Sequence, residues 1–275
     1  MEPLRIDSLD DPRVAVYRNI RDFDLRRGQG LFMAEGRGSV RCLIERSHFA
    51  TESVFVSPAA LRGLHDTLAG LDSDVPVYVA EQGVLSGVAG FDLHRGALAA
   101  GRDARAMSLD AILPAPHEAS RIVVVEHVTN PDNLGALFRN ARAFGADAVV
   151  LCPRTCDPLY RKAIRVSMGD TLCLPYARAE AWPDVLAALR ARGFAVLALH
   201  PDPGAPGSRC LDAFDRDDPG LRRLALLVGT EGDGLSVAAL AAADRPLRIP
   251  MAAGVDSINV ATALAIALHG LGGGA

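Results

Sequence analysis

Five polar residues in three glycine-rich segments are placed to do chemistry. Asn133 and Arg139 lie in EHVTNPDNLGALFRNARAFG (126–145), Glu231 in GTEGDGLS (229–236), and Ser257 and Asn259 in IPMAAGVDSINVATALAIALHG (249–270). The last two segments each put a glycine turn after a short apolar run, at 224–228 and up to Pro250. Glycine has no Cβ and accepts positive φ, so such turns let backbone come close to a ligand. The expected result is a pocket walled mainly by backbone, with Glu231, Ser257 and Asn259 as its polar groups.

The spacing excludes two familiar nucleotide sites. GTEGDGLS is G-x-x-G-x-G rather than G-x-G-x-x-G, and no βαβ unit with an acidic ribose ligand follows it. No Gly-Lys-Ser/Thr follows either, so it is not a phosphate-binding P-loop. A helix starting near Asn133 places Arg139 about 600° further on, some 120° away by rotation. The two need not share a face, and Asn133 would act from the cap. A plain cap asparagine with a solvated arginine fits the same spacing. Asp256 or Ser257 would likewise cap the final helix, and local hydrogen bonds would account for Ser257 and Asn259.

These residues need strands and helices to hold them, and the chain alternates accordingly. RIVVVEHV (121–128) is nearly continuously apolar, as in a parallel strand buried on both faces. A helix (133–145), the strand ADAVVLC, a helix in PLYRKAIRVSMG, then TLCLPY, a helix at 181–192, FAVLALH and RLALLVG continue the pattern. Upstream, Val14, Tyr17, Ile20 and Phe23 recur at three-residue steps and predict a helix over 11–27. LFMAEG, ESVFVS, VPVYVAE and GALAAG read as strands, with helices at 39–46, 58–70 and 81–89. Residues 101–120 lose periodicity and hold two prolines, which marks a linker. The expectation is an α/β chain of two domains, a smaller one at 1–105 and a larger one at 121–275, with a linker at 106–120.

At 275 residues the chain is long enough for two ordinary domains. No apolar run approaches the roughly 20 residues of a membrane span, and the polar, acidic start is unlike a secretory signal, so a cytoplasmic protein is expected. The five cysteines form no disulfide framework; Cys152 and Cys156 lack a second pair at zinc-finger spacing, and no metal is expected. The net charge of −4 argues against a protein that simply coats nucleic acid, but six basic residues face two acids between Arg139 and Arg165.

Taken together and in order, N-x-G-x-x-x-R (133–139), G-x-E-x-x-G-L (229–235) and I-P-M-x-x-G-x-x-S-I-N-V (249–260) resemble the three motifs of the SpoU/TrmH-type RNA ribose 2′-O-methyltransferases of the SPOUT class. RVSMGDTLCLP (165–175) also resembles a segment of that family, and the likeness covers about 121–270. One departure is an extra residue in MAAG relative to the commonest M-x-G. FMAEGRGSVRCLIE resembles, less specifically, the first strand and helix of a ribosomal-protein-like RNA-binding domain.

The resemblance implies a catalytic α/β domain with a deep C-terminal trefoil knot, an exception to the usual unknotted connections. It implies S-adenosylmethionine as cofactor, with Gly229, Ile249 and Ile258 lining its site. Asn133, Arg139, Glu231, Ser257 and Asn259 would surround the reacting ribose, whose 2′-hydroxyl attacks the sulfonium-bound methyl. Arg139 is the family's candidate for activating that hydroxyl; with a guanidinium pKa above ~12 and no acceptor, an electrostatic role is the better expectation. A homodimer completing each site near the partner is implied. The appended N-terminal domain tilts the RNA toward ribosomal RNA over transfer RNA. A base-methylating relative and a non-catalytic RNA-binding homologue are the alternatives, against which Asn133, Arg139 and the S-I-N-V ending count.

Overall fold

A computed structural model describes all residues except 1, 19–24, 27–29, 94–95, 104–106, 203–206, 215–220, 231 and 273–275. The chain divides into two compact units, 1–105 with 158–173, and 106–157 with 174–275.

The first unit is built on a five-stranded mixed sheet of β1 (Leu4–Arg5), β2 (Leu31–Glu35), β3 (Ala50–Val56), β4 (Val77–Val79) and β5 (Ala97–Arg102), in the order β1-β4-β3-β5-β2. β5 runs antiparallel to both β2 and β3, while β1 and β3 run parallel to β4. Val14 and Tyr17, half of the expected stripe, are fully buried with Met33 and Phe55, and the Tyr17 hydroxyl meets Ser53 Oγ at 2.7 Å. Their segment, Pro12–Tyr17, is a 3₁₀ turn kinked at Val14 rather than the start of a regular helix. Ile20 and Phe23 lie outside the described residues. The helix Arg161–Val166 packs on β2, where the Arg161 guanidinium pairs with Glu35 at 2.9 Å.

The second unit is an all-parallel sheet of seven strands: β6 (Ser120–Val125), β7 (Ala148–Leu151), β8 (Tyr176–Arg178), β9 (Ala195–Leu199), β10 (Arg209–Cys210), β11 (Arg223–Val228) and β12 (Arg245–Arg248). Their order is β10-β12-β9-β11-β6-β7-β8. Period-two alternation divides each strand between two cores. Val123, Val125, Leu224, Leu226 and Val228 face the helices Pro131–Ala143 and Val260–Gly270. Ile122, Val124, Ala225 and Leu227 face the layer of Asp184–Ala191 and Val237–Ala242. Both faces are therefore dry, which is why the strands read as unbroken apolar runs.

Residues 106–120, expected as a linker, include one helical turn, Leu109–Ile112, with Ile112 buried in that second core. The Arg223 guanidinium holds the following loop through the carbonyls of Ala115 and Glu118, at 2.7 and 2.8 Å. The basic sequence cluster also divides: Arg139, Arg142 and Arg154 belong to the second unit, while Arg161, Lys162 and Arg165 belong to the first. Among the described residues, no helix is long and apolar enough to cross a membrane.

Candidate active site

In open parallel sheets, ligands bind beyond the carboxyl ends of the strands, near the point where successive connections diverge. Here β6 and β11 are adjacent at the centre; β6 leads to β7 on one side, and β11 leads to β12 on the other. A cavity of about 410 Å³ opens over the ends of β9, β11 and β12. Its apolar walls are Leu199, Val228, Leu247, Ile249, Met251 and Val260. The turn from Gly229 to Leu235 and the segment from Ser257 to Asn259 close it.

The glycines serve two different needs. Gly232 and Gly234 adopt φ of +94° and +68°, a left-handed backbone that side-chain-bearing residues enter at a cost. Gly229 has no unusual φ; a Cβ there would stand 2.4 Å from the carbonyl carbon of Gly234. The turn is pinched at its base, where Gly234 N–H donates to Thr230 O at 3.2 Å. Glu231, one of the turn's two carboxylates, lies outside the described residues, while the other, Asp233, lines the cavity.

The segment after β12 is open in another sense. Ala252 through Asn259 are all exposed, and the chain turns at MAAG through a bond from Val255 N–H to Ala252 O at 3.2 Å, with Gly254 at φ +83°. The cap of the final helix is Asn259, not Asp256 or Ser257. Its Oδ1 accepts from Ala261 N–H at 3.0 Å and Thr262 N–H at 3.3 Å. That acceptor duty fixes the amide's orientation, so Nδ2 is the atom that donates to Asn133 Oδ1 at 3.0 Å. Ser257 and Ile258 line the cavity beside it.

Asn133 is correspondingly not a cap. Asn130 caps the helix Pro131–Ala143, accepting from Asp132 N–H at 2.9 Å, and Asn133 is its third residue. The same helix is bonded to the final one by Asn140 Nδ2, which donates to Ala261 O at 2.7 Å. The structure thus brings together Asn133, Ser257, Asn259, Gly229, Ile249 and Ile258. Arg139 stands apart: it is exposed and is not among the residues lining the cavity.

Asn259 therefore has two separable duties. Asn259→Ala should destabilise the fold by about 1 kcal/mol through loss of the cap. Asn259→Asp keeps the capping oxygen and loses the donor to Asn133, so urea unfolding should find it near wild type while activity falls. Equal destabilisation by both variants would refute the division.

Reading the sequence missed Leu199, His200 and Pro201 as cavity residues. The available signal was positional: Leu199 ends β9, the strand beside β11, and His200 and Pro201 follow it directly. It also passed over Glu126, a carboxylate with no exposed surface at the end of β6. Cys156 is not a reactive thiol. Burial, then the neighbouring Asp157 charge, pushes the Cys156 thiol up to about 12, so it stays protonated at neutral pH.

A backbone-rich cavity with apolar walls and few polar side chains suits an adenosine-bearing ligand with one polar end. The open space beside Gly232 and Gly234 fits S-adenosylmethionine by the same criterion.

Comparison with known proteins agrees with this geometry. The profile of the SpoU rRNA Methylase family matches residues 120–269. A Mycobacterium bovis protein described as an uncharacterized tRNA/rRNA methyltransferase is 41% identical over 264 residues, covering 94% of this chain and 88% of its own. The 23S rRNA (guanosine-2′-O-)-methyltransferase RlmB of Vibrio cholerae is 33% identical over 64% of this chain and 68% of its own. Among solved structures, the AdoMet-bound rRNA methyltransferase of Sinorhizobium meliloti superposes with a TM-score of 0.81 at 27% identity, covering 97% of this chain and 96% of that one. The motif-bearing segments, the parallel sheet that carries them and these matches place the chain in the SpoU rRNA Methylase family.

Proposed function

We propose that the protein is an S-adenosylmethionine-dependent RNA methyltransferase that modifies a ribose 2′-hydroxyl, in ribosomal RNA ahead of transfer RNA. The observation that carries this reading is the bond from Asn259 to Asn133, which joins the rim of the cavity to the helix bearing Arg139. S-adenosylmethionine, when bound, supplies a methyl group activated by sulfonium. Gly229, Ile249 and Ile258 hold it in the cavity. Asn133, Ser257 and Asn259 orient the ribose through hydrogen bonds, Glu231 fixes the turn, and Arg139 stabilises negative charge developing on the 2′-oxygen.

The exposed rim calls for a cover. Val255, Ile258 and Ile266 are exposed apolar residues on and beside the final helix, which supports a homodimer through this face. In that arrangement the Arg139 of one copy serves the cavity of the other, which accounts for its absence from its own. We assign the C-terminal chain crossing to a trefoil knot, RNA capture to the first unit, and the protein to the cytoplasm. Arg37, Arg41 and Arg46, all exposed along the helix Arg37–Glu45 and its end, support phosphate binding by that unit.

The test is transfer of a labelled methyl group to purified ribosomal and transfer RNA, followed by nucleoside mapping. The label should appear on a ribose in ribosomal RNA. Label on a base nitrogen would overturn the reaction class; label on transfer RNA alone would overturn the substrate.

A further inference from the structure

The Glu126 carboxylate is fully buried at the end of β6, and its partners among the described residues are three neutral donors. Trp182 Nε1 donates to Oε1 at 2.6 Å, Ser236 Oγ to Oε1 at 2.7 Å, and Ser236 N–H to Oε2 at 2.8 Å. A carboxylate buried without a cation is costly and persists only where its hydrogen bonds are satisfied. What these bonds connect is informative. The backbone N–H of Glu126 also donates to Val228 O at 2.8 Å. Val228 is the last residue before the glycine turn, and Ser236 is the first residue after it. One buried residue therefore holds both ends of the segment 229–235, which forms a wall of the cavity.

We propose that Glu126 is a positioning residue for the methyl-donor pocket, clamping the glycine turn at both ends so that its backbone faces the ligand in a fixed shape. The turn's glycines leave it dependent on such anchoring. Gly232 and Gly234 are conformationally permissive, and among the described residues the backbone hydrogen bond from Gly234 N–H to Thr230 O spans its base. Ser236 transmits the clamp onward, since its Oγ also accepts from Ala239 N–H at 3.1 Å and so starts the following helix. The proposal rests on reading the cavity as the S-adenosylmethionine seat.

Glu126→Gln is the direct test. Its single amide oxygen cannot serve both Trp182 Nε1 and Ser236 N–H, so in either orientation of the amide one of these donors faces the N–H₂ and one bond of the clamp is lost at nearly constant volume. Calorimetry with S-adenosylmethionine and S-adenosylhomocysteine should show affinity lowered by about tenfold, the scale of one hydrogen bond to a charged group. In steady-state assays the KM for S-adenosylmethionine should rise in step, with kcat at saturating cofactor and the KM for RNA within about twofold of wild type. Ser236→Ala should give a smaller loss of the same kind, and the two losses should be non-additive in the double variant.

If Glu126→Gln does not fold, Ser236→Ala decides by the same split. Wild-type cofactor affinity in a folded variant overturns the proposal, as does a fall in kcat or RNA affinity as large as that in cofactor affinity. Failure of the wild-type protein to bind either cofactor form would instead overturn the reading of the cavity.

Discussion

Replacing Arg139 by alanine should lower kcat for methyl transfer by at least about a hundredfold, the scale of removing one charge-stabilising donor. Affinity for S-adenosylmethionine stays within about twofold of wild type, because Arg139 does not line the cavity. A guanidinium stays protonated at working pH and has no lone pair to accept the 2′-proton. In the proposed role it places charge where the oxygen becomes negative, or on the adjacent phosphate. Arg139→Lys keeps the charge and loses the planar fork, so it should recover part of the rate without moving the pH profile. A base mechanism would shift that profile, since a lysine titrates well below an arginine. Equal loss of rate and cofactor affinity in Arg139→Ala would remove the residue from its assigned role. Mixing the Arg139→Ala and Gly229→Ala proteins, at an S-adenosylmethionine concentration too low to load the Gly229→Ala cavity, tests which copy it serves. If it serves the partner, each mixed dimer holds one intact site, and an equal mixture regains about a quarter of wild-type activity. If it acts on its own cavity, the mixture stays inactive.

Much of this site could be read in advance, and the residues that could not share a physical cause. Strands buried on both faces must be apolar throughout, so β6, β7, β9 and β11 announced themselves, and the turn after β11 was marked by its glycines. Periodicity carries no information on which of several adjacent polar residues caps a helix. Asp256, Ser257 and Asn259 are all good caps, and the choice of Asn259 depends on the path of an exposed segment after β12. Segment 158–173 joins the first unit although the chain on both sides belongs to the second, an arrangement that contiguous reading cannot anticipate. Glu126 was hidden differently. In VVVEHV it looks like a lone acid ending an apolar strand, and its meaning lies in Ser236 and Trp182, which are distant in sequence. His127 beside it carries a positive φ of 53°, the turn out of the sheet that lets Glu126 stay inside while the chain leaves.

Gly229→Ala should lower affinity for S-adenosylmethionine by about ten- to a hundredfold, in line with the cost of overpacking a tight site. The added methyl would meet Gly234 C at 2.4 Å, Gly234 O at 2.5 Å and Leu235 N at 2.6 Å. All three are backbone atoms, so no side-chain rotation relieves the contact and the turn itself has to move. Its outer end is held at Ser236 by a buried carboxylate, and its inner end continues the fully buried β11. Displacement therefore falls on Thr230 to Leu235, the part that lines the cavity. Gly254→Ala provides the contrast. Gly254 has a left-handed φ of +83°, open space around its Cβ position and no place in the cavity wall. Alanine there adds backbone strain of about 1–2 kcal/mol and should change cofactor affinity by less than about threefold, well below the clash penalty at Gly229. Calorimetric titration of both proteins separates clearance from strain. Equal losses would mean that the cavity responds to any stiffening of a glycine turn, and the close approach at Gly229 would then explain nothing specific. A loss confined to Gly229 would establish that the base of the turn, where one backbone strand lies directly on another, sets the shape of the cofactor wall.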